Sequence, residues 1–253
     1  MKNSLVLLLL SVSFLCSAAN QNTNAVHFRF DTPAPMQNVL LTAFHSFWRT
    51  LPADMRPQRF SVGKTEKNSP APLLEIAADL PETEMPYAAS GIIFAVSRQN
   101  PVSKISRIQA DSILAGKLTH WEDNGKKQPI LLCIYAPTPQ VVPYVDQHKN
   151  TFQRKTYFHD LELLIRHVNA SPNAIAILPV RCFNIQELKL LAPDNIPCTM
   201  DQVMKGKYPY ANIYRIRWNK KDPLANKLAE YLLSPRIKLR LHHNGDMPLR
   251  PNM

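Results

Sequence analysis

Apolar residues recur along this chain with two spacings, which take turns. In 25–30, Val26, Phe28 and Phe30 alternate with polar neighbours, which predicts a strand with one buried face. Downstream, Met36, Val39, Leu40, Ala43, Phe44 and Phe47 fall three and four residues apart, the stripe of an amphipathic helix. The runs at 90–97 and 129–136 are apolar throughout, as strands covered on both faces require. Further helices are expected from Thr138, with Pro139 at its first position and Pro143 interrupting it, over 160–168 and over 223–235. Further strands are expected at 173–178 and 212–218, and a loop at 61–70. Ser106 and Gln109 read as a capping box, Gly116 as the left-handed end of that helix, and Trp121 as its cover. Strand–helix alternation of this kind predicts an α/β fold with largely parallel sheets.

The first 19 residues change the expected location. Lys2 precedes an apolar run from Leu5 to Leu15 and small residues at 17–19, the order of a cleaved secretory signal peptide. The run is too short to span a membrane. Ser13, Phe14 and Leu15 before Cys16 do not fit a lipobox. The expectation is a periplasmic or secreted protein with no transmembrane segment in its mature chain. Cys133 reads as a buried thiol, while Cys182 and Cys198 could pair in an oxidising compartment or stay free.

Charge and motifs narrow the chemistry. The chain carries 30 Lys and Arg against 19 Asp and Glu, a net charge of +11 that suits an anionic partner. These residues are spread along the sequence without the basic arm of a nucleic-acid binder, so none is expected as a partner. No G-x-S-x-G elbow, H-E-x-x-H pair or glycine-rich phosphate loop occurs. The adjacent His242 and His243 would point about 100° apart on a helix, which does not suit a shared metal. No catalysis, metal or cofactor is expected.

Four blocks then occur in order: "NPVSKISRIQADSILAGKLTHWEDNG", "LLIRHVNASPNAIAILPV", "GKYPYANIYRIRWNKKDP" and "LLSPRIKLRLHHNGDMPL". Together they resemble the PstS-like phosphate-binding proteins of bacterial ABC transporters, a branch of the type II periplasmic binding proteins. The resemblance implies a two-lobed α/β fold whose chain crosses twice between lobes. One lobe would hold 24–91 plus 211–253 and the other 92–208. The crossings would run through 91–97 and 209–218. It also implies a small anionic ligand, phosphate or another oxyanion, held between the lobes and delivered to an ABC permease.

In that family the anion sits on backbone N–H groups and hydroxyls at helix N-termini, which are unpaired donors on a positive dipole end. The matching places here read "DTPAPM" (31–36) and "YAPTPQ" (135–140). Pro33, Pro35, Pro137 and Pro139 have no N–H to offer, and Asp31 adds negative charge. A degenerate anion site follows. Its remaining candidates are Thr32, Lys64, Thr65, Tyr135, Thr138 and Gln140. The alternative is an envelope interaction or sensor protein that keeps the fold without the anion site.

Overall fold

The computed structural model describes residues 25–57, 59–63, 71–123, 126–136 and 155–249. Its strands are β1 (Ala25–Asp31), β2 (Arg59–Gly63), β3 (Leu74–Ala77), β4 (Met85–Val96), β5 (Lys104–Ile105), β6 (His120–Asp123) and β7 (Lys126–Pro129). There follow β8 (Leu131–Tyr135), β9 (Lys155–Phe158), β10 (Ala174–Pro179), β11 (Lys189–Leu190), β12 (Ala192–Pro193), β13 (Ala211–Trp218) and β14 (Met247–Pro248). The described helices are α1 (Ala34–Thr50), α2 (Arg107–Leu114), α3 (Leu161–Ala170), α4 (Met200–Met204), α5 (Pro223–Leu233) and α6 (Pro235–Asn244).

The main sheet runs β2-β1-β3-β13-β4-β10-β8-β9 and is mixed. Its flanks β2-β1-β3 and β10-β8-β9 are parallel, whereas β13 is antiparallel to β3 and β4, and β10 to β4. The largely parallel sheet expected from strand–helix alternation is thus interrupted by antiparallel crossing strands at its centre.

Two hydrophobic cores form on this frame. The first gathers Phe28, Phe30, Phe44, Leu74 and Ile76 with the helices α1, α5 and α6. The second gathers Phe94, Leu132, Ile134, Ile175, Ile177 and Leu164 with α2 and α3. Long β4 serves both, which explains its continuous apolar run: from Tyr87 to Val96 every residue is buried. On β4, Ala88 belongs to the first core and Ala89 to the second. On β13 the same change falls between Tyr214 and Ile213, which pair with Ala88 and Ala89. Here the backbones meet closely. A Cβ on Gly91 would lie 2.0 Å from the Tyr210 carbonyl oxygen, so only glycine fits.

Local signals held where they were strong. Ser106 and Gln109 form the capping box, and Gly116 takes φ +70°. Trp121 is buried in the second core beside α2 and donates its indole N–H to the Asn173 carbonyl at 3.0 Å. Three elements differ from the pattern reading. Residues 61–63, expected in a loop, extend a strand paired to β1, because Phe60 and Val62 continue an alternation that Gly63 ends. The helix expected over 223–235 ends at Leu233, where Pro235 starts α6 as a separate helix. The turn at 137–140 and the helix expected from Thr138 lie outside the described residues, as does the leader. Cys133, Cys182 and Cys198 are free, buried thiols, and burial pushes Cys133 and Cys198 up to about 12.

The face of the first half-sheet opposite α1 is charged. Period-two alternation sends Phe28 and Phe30 to the core and His27, Arg29 and Asp31 to the other side. Arg29, Glu75 and Arg217 sit in one cross-strand row. His27 is 4% exposed and shares a 2.7 Å hydrogen bond through Nδ1 with Ser61 Oγ, while its Nε2 has no partner. Burial lowers its pKa below 6.5; nearby Glu75 opposes this and Arg29 reinforces it. Between 6.5 and that lower value the unfolded chain takes a proton that the folded chain refuses. Stability is therefore expected to fall as pH drops through this window and to level off below it. Urea midpoints from pH 7.5 down to pH 5 measure this, and His27→Gln flattens the profile.

Candidate functional site

The parallel strands of both halves aim their C-terminal ends at the crossing. β3 ends at Ala77 opposite Arg215 of β13, four residues after the Ala211 that pairs with Gly91 of β4. β1 runs parallel to β3 and ends beside it, with Asp31 paired to Ala77. From the other half, β10 runs antiparallel to β4 and ends with Pro179 opposite Ile92. β8 and β9 run parallel to β10. In open α/β sheets, ligands bind beyond the carboxyl ends of the strands. Thr32 directly follows β1, Arg181 lies two residues past β10, and Tyr135 is the last residue of β8.

Thr32 is 9% exposed and its Oγ1 has no hydrogen-bond partner. It is not a helix cap, because the N-cap position of α1 is Pro33, with no side-chain capping bond. The first α1 amide to enter the helical ladder is that of Gln37, bonded to the Pro33 carbonyl at 2.9 Å. Ahead of it, Pro33 and Pro35 carry no N–H, which leaves the amides of Ala34 and Met36 as the helix-end donors. The turn between β1 and α1 therefore keeps two amides and one buried hydroxyl, and proline removes the others.

Two arginines lie near the ends of these strands. Arg181 follows β10 in a single 3₁₀ turn, Val180–Cys182, and Arg215 lies on β13 at the level where β3 ends. The Nε of each is buried without a hydrogen-bond partner, and neither forms an ion pair among the described residues. Arg181 belongs to the second half and Arg215 to the first. Arg181 also acts across the crossing: burial, then this cation, lowers the pKa of His242 at the end of α6. Sequence reasoning missed both arginines. For Arg181 the available cue was a cation immediately after the wholly apolar run "AIAILPV".

The negative charge at the rim is already engaged. Arg29 donates to Asp79 at 2.6 Å, to Glu75 at 3.2 Å and to Asp31 at 3.3 Å. The Asp79 hydrogen bond, foremost among these contacts, raises the Arg29 pKa. Asp31 therefore faces a cation and does not stand as an isolated charge beside the first turn. Of the residues expected from the sequence, Thr32 and Tyr135 lie at strand ends of opposite halves, and Tyr135 packs against the second core. Lys64, Thr65, Thr138 and Gln140 lie outside the described residues. Among the described residues, no cluster of three His, Cys, Asp or Glu could hold a metal, and no helix is long and apolar enough to cross a membrane.

A family model described as a PBP superfamily domain matches residues 74–236. The chain belongs to that superfamily. No curated protein matches its sequence. Among solved structures, a possible phosphate-binding protein from Planctomyces limnophilus DSM 3776 is similar at 14% identity, over 90% of this chain and 94% of that one, with a TM-score of 0.61. An ABC-type phosphate transport receptor from Vibrio cholerae is similar at 14% identity, over 90% of this chain and 100% of that one, with a TM-score of 0.54. PstS from Borrelia burgdorferi is similar at 13% identity, over 89% and 99%, also at 0.54. The fold is that of the type II periplasmic binding proteins.

Proposed function

We propose that this protein is an exported, PstS-like solute-binding protein that holds a small oxyanion at the crossing and passes it to an ABC permease. The halves around the two cores act as lobes, 24–91 plus 211–253 and 92–208, that close on the ligand. One observation carries the reading. Among the described residues, Thr32 Oγ1, Arg181 Nε and Arg215 Nε are all buried and all without hydrogen-bond partners; Thr32 follows β1, Arg181 lies two residues past β10, and Arg215 stands opposite the last residue of β3. Unpaired buried donors cost free energy unless something accepts from them, and a bound anion would. In this reading guanidiniums supply much of what the prolines took from the helix-end cradle. Forked, charge-bearing donors suit a tetrahedral oxyanion. The role is binding: the similar solved structures are described as a phosphate transport receptor and a possible phosphate-binding protein.

A thermal-shift series with phosphate, sulfate, other oxyanions and small organic acids tests this. A ligand at 100 times its dissociation constant adds about 2.7 kcal/mol of stability. One of these anions is expected to raise the melting temperature. Arg181→Met is expected to weaken it by about 10- to 100-fold, the loss of one charge-assisted hydrogen bond. No shift with any anion would contradict the proposal and favour the alternative, an envelope interaction or sensor protein without a ligand.

A further inference from the structure

Lys and Arg look scattered along the sequence, but five of the 30 lie on three helices that pack together over the first half-sheet. The helices α1, α5 and α6 cover the first half-sheet and turn their outer faces to solvent. Together they carry five Lys and Arg (Arg49, Lys227, Arg236, Lys238 and Arg240) against one acid, Glu230. α6 holds three of the five, with His242 and His243 and no acid. No carboxylate pairs with any of its cations among the described residues. Such a surface attracts an anionic partner of comparable extent.

The arrangement on α6 says which kind. Ile237 and Leu241 face the core, so with 3.6 residues per turn Leu239 points straight outward. It is 57% exposed, a large apolar side chain in the middle of the basic face. Lys238 and His242 flank it on one side, and Arg236, His243 and Arg240 on the other. An exposed Leu239 flanked by Lys238 on one side and by Arg236 and Arg240 on the other suits an anionic membrane surface: the cations meet phosphate headgroups and the apolar residue enters the interface. A nucleic-acid face would instead offer aromatic side chains for stacking, and α6 has none turned outward. Beside this ring, α1 and α6 enclose a groove of about 510 Å³ lined by Asn38, Thr42, Arg240 and His243. Arg240 brings a cation to this lining, and Asn38, Thr42, His243 and Asn244 bring hydrogen-bonding groups, which suits a phosphate headgroup. Asn38 and Thr42 lie beyond the first turn of α1, so this groove is separate from the turn at Thr32.

We propose that the outer face of α1, α5 and α6 docks on an anionic phospholipid surface, with Leu239 at its centre and one headgroup in the α1–α6 groove. The purified protein is sedimented with phosphatidylcholine vesicles containing about one-third phosphatidylglycerol, and with phosphatidylcholine alone. Excess retention on the anionic vesicles is expected, with loss at high salt as screening requires. The pair Lys238→Glu with Arg240→Glu is expected to weaken that excess by about tenfold or more. Leu239→Ser weakens it less, and circular dichroism confirms that the variants remain folded. A control pair far from this face, Lys104→Glu with Lys117→Glu, leaves it largely unchanged. Three results would overturn the proposal: no excess on anionic vesicles, equal losses in the two charge-reversal pairs, or equal retention on duplex DNA.

Discussion

Gly91→Ala is expected to unfold at a much lower urea concentration than the wild type, at a cost of about 3 kcal/mol. The reason is local and severe. The added methyl would meet the Tyr210 carbonyl oxygen at 2.0 Å and the Ala211 Cα at 2.6 Å, both main-chain atoms that no rotamer change can move. Relief requires β4 and β13 to separate, and these strands carry the chain between the cores. The separation would also stretch the 2.9 Å hydrogen bond from the Ile92 amide to the Tyr210 carbonyl. Gly206 is the internal control. It has φ +63° but nothing within 4 Å of where a Cβ would sit, so Gly206→Ala carries only left-handed strain, about 1–2 kcal/mol. Equal or smaller loss at Gly91 than at Gly206 would show that the crossing is looser than described.

Glu75→Leu is expected to cost about 3 kcal/mol, measured by the same urea series. The Glu75 side chain is only 7% exposed and lies between two guanidiniums. It accepts from Arg29 Nη1 at 3.2 Å and from Arg217 Nε at 2.9 Å, with a further close contact to Arg217 Nη2. Removing the carboxylate leaves a mostly buried Arg29 with one fewer counter-charge, and breaking a buried pair from one side is the costly direction. Arg217 is more exposed, so solvent moderates its share. The double variant Glu75→Leu with Arg29→Met removes both members of the closer-buried pair and is expected to recover much of the loss. A double variant no better than the single one would mean that Glu75 stabilises by packing and not by charge.

These residues also mark what could be read from the chain. The stripe from Met36 to Phe47, the alternation of Val26, Phe28 and Phe30, and the capping box at Ser106 are local patterns, and the structure matches them. The four ordered blocks pointed to the right fold because they contain the crossing strand β13 and the β10 strand whose register builds the junction. What was illegible is long-range. Nothing local tells that Arg29, Glu75 and Arg217 share a row, since they belong to three separate strands. Neither does spacing reveal that Arg181 and Arg215 end with buried, unpaired Nε atoms, because their burial arises from opposite halves. The prolines around Thr32 were legible and removed two amides as expected. That Arg181 and Arg215 keep buried, unpaired Nε atoms was not, because only the folded register sets their surroundings.

The most direct test of the account is to follow the Ala34 and Met36 amide resonances, with the Arg181 Nε signal, while inorganic phosphate is titrated into the isotope-labelled protein. All three are expected to move together along one saturable curve, because the two amides left beside Pro33 and Pro35 and the unpaired guanidinium grip a single anion. If these signals stay fixed throughout the titration with phosphate, and then with sulfate, no oxyanion occupies the junction and the central claim is wrong.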